Sequence, residues 1–365
     1  MKKLFVFAAS AMMVFASCTD NEIVYQNETP QEISLFSVVD NMTRGAQTAT
    51  GGFEHSNMIV AAYLAPGDGV TAGDYFKDAP FTGTPADGTN AAGNFTGGKY
   101  WPIEAATLNF MAVAPEVGTV AEAGTLNSGV KTTFVSVNTA DEDETPVIQG
   151  KATVKVANNY ENQHDVMYAT VRASKNINAA NYTPNAVGMS FQHALAWVNF
   201  TFKATTPGIK INSITINDAI YDGTLTVIAE NYGVADVALS TNATSWTEKS
   251  EAADNIVSGD VLDLVIEDDA DESDVLTWGE SDTSRGGILV VPCNPTSFVI
   301  NYSVTVGTDT HTYNYTYPIT EPEEGTAWAM GKKYNYNITM GLQEIKISPT
   351  VATWTDGTGA DITIQ

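Results

Sequence analysis

From Lys333 to Met340 the segment KYNYNITM sets Tyr334, Tyr336, Ile338 and Met340 against Lys333, Asn335, Asn337 and Thr339. A strict period of two is the signature of a strand with one buried face. The same alternation runs through FVINYSVTV and HTYNYTYPI, separated by GTDT. It predicts a hairpin pairing Phe298, Ile300, Tyr302 and Val304 with Tyr313, Tyr315, Tyr317 and Ile319. Pro318 confines the second of these strands to an edge or an end, because proline donates no ladder hydrogen bond. In SFQHALAWVNFTF the apolar phase slips from Phe191, Leu195 and Trp197 to Val198, Phe200 and Phe202, which predicts a bulge or bend near Trp197. No long stretch sustains a helical period, so the chain reads as all-β.

Two polar stretches punctuate this pattern. SKNINAANYTPNAVG, rich in asparagine and broken by Pro184 and Gly188, predicts a boundary between an N-terminal domain, residues 45–186, and a C-terminal domain, residues 187–365. GTPADGTNAAGNFTGG, from Gly83 to Gly98, reads as a long flexible loop. The length of 365 residues suits two domains, each with its own core.

The N-terminus carries processing signals on either side of one candidate strand. Lys2 and Lys3, the apolar run LFVFAASAMMVFA and the small pair Ala16 and Ser17 lead into Cys18, the pattern of a secretory signal over residues 1–17 with Cys18 as the lipidated residue. The following TDNE resembles the acidic export tags of surface lipoproteins in Bacteroidetes-type bacteria. Within residues 18–44 lies EISLFSVVD, a strand in which Ile33, Leu35 and Val38 point inward, with an imperfect phase at Phe36. Arg44 follows in NMTRGAQ, among small residues that a protease can bind in extended form, with Gly45 as the new first residue after a cut. At the other end, LQEIKI offers Leu342, Ile345 and Ile347, PTVATW contributes Val351, and GADITIQ alternates Ile362 and Ile364 with polar neighbours.

Charge and chemistry narrow the function. A net charge of -26 excludes nucleic acid as a partner and disfavours adhesion to anionic lipid by charge. With Cys18 lipidated, Cys293 has no partner for an intrachain disulfide. The acidic runs DEDE (Asp141 to Glu144) and EDDADESD (Glu267 to Asp274) lack the glycine and closing glutamate of an EF-hand and read as solvated loops rather than metal sites. His55, His164, His193 and His311 are dispersed, and His193, in an apolar segment, reads as a satisfied core or edge histidine. No zinc-protease, Walker, dinucleotide or nucleophile-elbow motif is present, so no catalytic residue and no cofactor is assigned and the chain does not read as an enzyme. Trp101, Trp246, Trp278, Trp328 and Trp354 suit packing in a β-protein better than sugar stacking.

Four blocks carry a family resemblance: GKYWPIEAATLNFMAVAP (Gly98 to Pro115), DVMYA (Asp165 to Ala169), SFQHALAWVNF (Ser190 to Phe200) and AWAMGKKYNYNITMGLQEIKISPTVATW (Ala327 to Trp354). In this order and spacing the chain resembles the fimbrillin family, the major and accessory subunits of Bacteroidales type V pili. The resemblance implies two tandem transthyretin-like β-sandwich domains and export as an outer-membrane lipoprotein to the cell surface. It also implies cleavage after Arg44 by an extracellular arginine-specific protease, which removes the strand bearing Ile33, Leu35 and Val38. Other subunits of the fimbrium are then joined by donation of strands from residues 342–365 into the open groove, a form of β-strand addition. Two alternatives stay open: a tip, anchor or solitary adhesin that does not polymerise, and a glycan-binding surface lipoprotein.

Overall fold

The computed structural model describes residues 30–39, 53–65, 73–86, 93–102, 107–118, 129–137, 147–156, 163–175, 186–204, 208–220, 222–230, 240–247, 255–257, 264–265, 276–277, 288–319, 327–341, 345–353 and 362–363. Among them no helix occurs. The first half supplies β1 (Glu32–Val39), β2 (Asn57–Leu64), β3 (Gly73–Thr82), β4 (Phe95–Tyr100), β5 (Thr107–Ala114), β6 (Gly129–Val137), β7 (Val147–Lys155), β8 (Met167–Ser174) and β9 (Val187–His193). Next come β10 (Ala196–Ala204), β11 (Ile209–Asn217), β12 (Asp222–Glu230), β13 (Ser240–Thr247), β14 (Asn255–Val257), β15 (Leu264–Val265) and β16 (Leu276–Thr277). The last are β17 (Ile288–Val290), β18 (Ser297–Val306), β19 (Asp309–Pro318), β20 (Lys332–Met340), β21 (Ile345–Thr353) and β22 (Ile362–Thr363).

Seven strands close into a barrel in the order β1-β4-β3-β2-β5-β8-β9. Its pairings are antiparallel except for β1 with β9, which run parallel. Along β2, Met58, Val60 and Ala62 fill the barrel, while Ile59, Ala61 and Tyr63 belong to a second core outside it. That second core lies against the sheet β13-β12-β7-β6, which contributes Phe134, Val154, Leu225 and Val227. Burial on both faces explains why NMIVAAYL and TLNFMAVA are nearly continuous apolar runs instead of alternating ones.

The remaining strands form two sheets around a third core. One runs β16-β10-β20-β21-β22, with β17 also on β10 and β10 parallel to β20; the other runs β14-β11-β18-β19, with β15 also on β11. Phe200, Phe298 and Tyr336 meet between them, with ring centroids 5.0 Å apart for Phe200 and Phe298 and 4.9 Å for Phe298 and Tyr336. The two alternations read most directly from the sequence are both present. Tyr334, Tyr336, Ile338 and Met340 are buried, and β18 and β19 pair Phe298 with Tyr317, Ile300 with Tyr315 and Tyr302 with Tyr313. β19 is an edge strand that ends at Pro318.

Two expectations need correction, and a third is narrowed. The stretch predicted as the domain boundary joins β8 to β9, which are antiparallel neighbours in one barrel, so residues 187–193 belong with the N-terminal strands. Asparagine and proline mark a surface loop, and a loop composition does not say whether its two flanks share a sheet. Nor do the sheets sort by halves of the chain, because β12 of the second half pairs with β7 of the first over eight positions. The phase slip near Trp197, expected as a bulge or a bend, is a bend at Leu195: at Ala194 and Leu195, both fully buried in the middle core, the chain leaves the barrel at the end of β9 and enters another sheet as β10. Finally, the glycine-rich stretch read as a loop contains the first part of β4, whose Phe95 is fully buried.

Candidate functional site

β1 owes its place to three side chains and one neighbour. Ile33 and Leu35 are fully buried in the barrel core with Phe53, Phe81, Phe95, Phe110 and Phe191. Leu35 is paired on both sides, with Phe95 of β4 and Val187 of β9. Phe36, where the phase looked imperfect, is turned outward and packs over Gly188, its direct ladder partner. A Cβ on Gly188 would meet the Phe36 ring at 2.7 Å, so a larger residue there would push this exposed ring aside. Val38 continues the ladder opposite Ser190.

The start of β1 is held by a distortion of β4. Glu32 lies opposite Tyr100 and Ser34 opposite Thr96, so β4 carries two residues more than β1 between these points. The surplus is absorbed at Gly97 and Gly98, a bulge. Gly98 has φ of 63°, and its N–H donates to Glu32 Oε1 at 3.0 Å. Gly97 passes so close to β3 that a Cβ there would lie 2.6 Å from the Pro80 carbonyl oxygen. The Trp101 N–H donates to the Gln31 carbonyl at 2.8 Å, extending the pairing beyond the strand itself.

β1 is also the barrel strand that lies upstream of Arg44. Its removal leaves the rest of the chain continuous and opens the barrel between β4 and β9, which then stand about 10 Å apart, two interstrand spacings. One residue bridges this gap from below. Phe53, downstream of Arg44, meets Phe95 of β4 edge-on at 5.4 Å and Phe191 of β9 at 4.5 Å. Its carbonyl accepts the Ala86 N–H at 2.8 Å, which fixes the backbone at that point.

At the C-terminal end, β21 pairs with β20 over nine positions, from Met340 with Ile345 to Lys332 with Thr353. Ile345, Ile347 and Val351 are partly buried against their own third core. β22 adds two pairs at the sheet edge, Ile362 with Val351 and Thr363 with Thr350. Tyr334 and Tyr336 line the strand beneath. Burial pushes both phenols up, Tyr336 the further, and the Trp328 Nε1–H that donates to the Tyr336 hydroxyl at 3.0 Å offsets this only in part. Cys18, Arg44, Gly45, Leu342 and Ile364 lie outside the described residues, as do the two acidic runs, Trp278 and Trp354.

Other residues singled out by type have structural places. His193 Nδ1 and Asp165 Oδ2 are 2.7 Å apart, with both side chains buried. Trp101 and Trp328 are buried, and the Trp246 Nε1–H donates to the Ala194 carbonyl at 2.9 Å. Cys293 is buried in the third core. The residues that sequence reasoning missed are Gly97, Gly98, Gly188 and Phe53. The only signal for the glycines was their presence beside aromatic residues, which also describes an ordinary loop.

Residues 43–354 match the family described as fimbrillin-like, and the chain belongs to that family. No curated protein sequence matches the chain. Among solved structures, a fimbrial protein from Bacteroides vulgatus is 16% identical, with a TM-score of 0.46, and the alignment covers 89% of this chain and 100% of that one. A candidate cell adhesion protein from Bacteroides uniformis is 18% identical at a TM-score of 0.43, over 89% of this chain and 98% of that one. The fimbrial anchor protein Mfa2 from Porphyromonas gingivalis is 8% identical at a TM-score of 0.27, over 90% and 99%.

Proposed function

We propose that this chain is a structural subunit of a cell-surface fimbria, assembled by exchange of one strand for another. It is exported as an outer-membrane lipoprotein on Cys18 and cut after Arg44 by an extracellular arginine-specific protease. It is then joined to further subunits by C-terminal strands that fill the place of β1. In this reading the barrel with its covering sheet is the N-terminal of two transthyretin-like units, and the two sheets around the third core are the other.

The observation that carries the reading is the position of β1: a strand with a neighbour on each edge and Ile33 and Leu35 fully buried, upstream of the candidate cleavage point, whose loss opens the barrel without interrupting the rest of the chain. Burial of Ile33 and Leu35 is worth about 1.5–3 kcal/mol each, so an emptied slot gains substantially from an incoming strand of the same pattern. While β1 is present the barrel offers no free edge for premature pairing. Donation from one copy to the next is heterologous and gives an open filament. The acidic charge keeps free subunits apart until the slot opens.

Treatment of the purified precursor with an arginine-specific protease should produce detergent-resistant ladders, and Arg44→Ala should leave a monomer. A wild-type chain that is cut cleanly at Arg44 and stays monomeric refutes the reading. A second reading, a terminal adhesin or anchor, is favoured by one observation: the nine-position ladder of β21 and the packing of Ile345, Ile347 and Val351 on their own core. A terminal subunit keeps these strands, and an anchor also keeps its lipid, which the mass of the surface-extracted protein reveals.

A further inference from the structure

β19 ends its sheet, and it pairs with β18 over ten successive positions without a shift in register. Two hydrogen bonds at either end of this hairpin show which backbone groups turn outward. The Ile319 N–H donates to the Thr296 carbonyl at 3.0 Å, toward β18, whereas the N–H of Thr305, the residue opposite Thr310, donates to the Gly208 carbonyl at 2.9 Å, away from β19. Bonding toward a given neighbour alternates along an antiparallel strand. The odd-numbered residues of β19 therefore bond to β18, and Thr310, Thr312, Asn314 and Thr316 point their N–H and C=O groups away from it. Pro318 falls in the same outward set, where a missing N–H costs the ladder nothing.

Proteins commonly protect such an edge with lysines, a bulge, an inward-pointing charge or a cover. β19 contains no lysine or arginine, its register is unbroken, and Asp309 to Asn314, Thr316 and Pro318 are all exposed. The side chains of Thr310, Thr312 and Asn314 are engaged along the sheet with Thr305, Ser303 and Asn301, at 3.1, 3.2 and 2.7 Å, which braces the strand. On the opposite face Tyr313 stacks on Tyr302 with ring centroids 5.5 Å apart and remains 47% exposed. A straight, braced edge with an exposed ring at its middle suits the addition of another strand.

We propose that β19 is an interface between two copies of this chain, joined edge to edge by antiparallel pairing about a two-fold axis at Tyr313. Charge selects this occupant. With a net charge of -26, two copies approach closely only where like charges are sparse, and Asp309 is the one acidic side chain of β19. An axis at Tyr313 pairs the four outward residues among themselves, Thr310 with Thr316 and Thr312 with Asn314, so each outward N–H finds a carbonyl. On the other face Tyr313 meets its own counterpart, His311 meets Tyr315 and Asp309 meets Tyr317. No pair sets like charges opposite each other. One strand pair is a small interface and holds two single molecules weakly. Repeated along two filaments the same contact multiplies, although the proposal itself needs no strand exchange.

Sedimentation of the Arg44→Ala chain, which keeps β1, should shift from monomer to dimer between about 20 and 500 μM, the range of a weak interface. Thr312→Pro removes one outward donor from each copy and leaves the β18 ladder intact. Tyr313→Lys sets two like charges face to face at the axis. Each should raise the dissociation constant at least about tenfold. Thr153→Lys, which adds the same charge at an exposed position of β7, should not weaken the dimer. A monomer over the whole range, or a dimer indifferent to both β19 variants, overturns the proposal. Thiol pairing in a Cys18→Ser background reads the register. Tyr313→Cys should give a disulfide-linked dimer under mild oxidation, because the two Cβ atoms stand about 5 Å apart across the axis, and Tyr315→Cys, opposite His311, should not. Equal linkage of the two, or linkage of Tyr315→Cys alone, overturns the axis. Since β1 stays in place throughout, these outcomes are independent of whether a chain cut at Arg44 forms ladders.

Discussion

β1 and β21 begin on the same pattern, an isoleucine and a second aliphatic residue two positions on, yet the fold holds them very differently. β1 has a hydrogen-bonded neighbour on each edge, and Ile33 and Leu35 are wholly enclosed. β21 has a full-length partner on one edge and only the two residues of β22 on the other, and Ile345 and Ile347 are partly exposed. Alternation therefore states which side chains point the same way, and topology decides how much each is worth. The strand upstream of the candidate cleavage point sits in the deeper of the two sites. In a strand exchange, the driving force would then reside in the barrel that receives and not in the sheet that gives.

This contrast can be sharpened by mutation. Leu35→Ala in the uncut chain should destabilise the barrel by about 3 kcal/mol, the cost of a cavity in a closed core, read from urea unfolding. Gly97→Ala should cost about 2 kcal/mol by the same measurement, because the new methyl collides with the backbone of β3 and pushes away the bulge that positions β1. Ile347→Ala, at a partly exposed position, should cost about 1 kcal/mol. Equal losses for Leu35→Ala and Ile347→Ala would erase the distinction between the two sites.

The smallest effect is one of pH and falls on the C-terminal side. The buried Tyr336 phenol has its pKa raised by loss of water, so the folded state favours the neutral form while an unfolded tyrosine ionises near 10. The stabilisation is complete below pH 10 and is lost as pH rises above it. Between pH 10 and 11 Tyr336 should lower the urea midpoint by the equivalent of about 1 kcal/mol, and Tyr336→Phe should remove that share while Tyr334, also raised by burial, keeps its own.

Much of the fold was legible because one-sided strands announce themselves. Lys333 to Met340 and the hairpin from Phe298 to Ile319 alternate cleanly, since one face meets a core and the other meets water. β2 and β5 do not alternate, because cores lie on both sides of them, and an apolar run of that kind does not name its layers. The crossing at Ala194 and Leu195 was hidden for a related reason: it passes through the middle core, where no turn residue marks it. In the site, Ile33 and Leu35 were readable from their spacing. Gly97 and Gly188 were not, because they leave out a side chain where β3 or Phe36 comes close, and Gly98 was not, because its positive φ belongs to the bulge; both requirements exist only after the strands are assembled.

Phe53 lies on the retained side of Arg44 and touches one ring on each bank of the slot, Phe95 on β4 and Phe191 on β9. It acts as a spacer. With β1 gone, the two banks are still tied to a common aromatic wedge whose backbone is pinned by Ala86, so the gap keeps close to the width of one strand and does not collapse shut. A receptor that needs no rebuilding spends less of its binding energy on ordering itself.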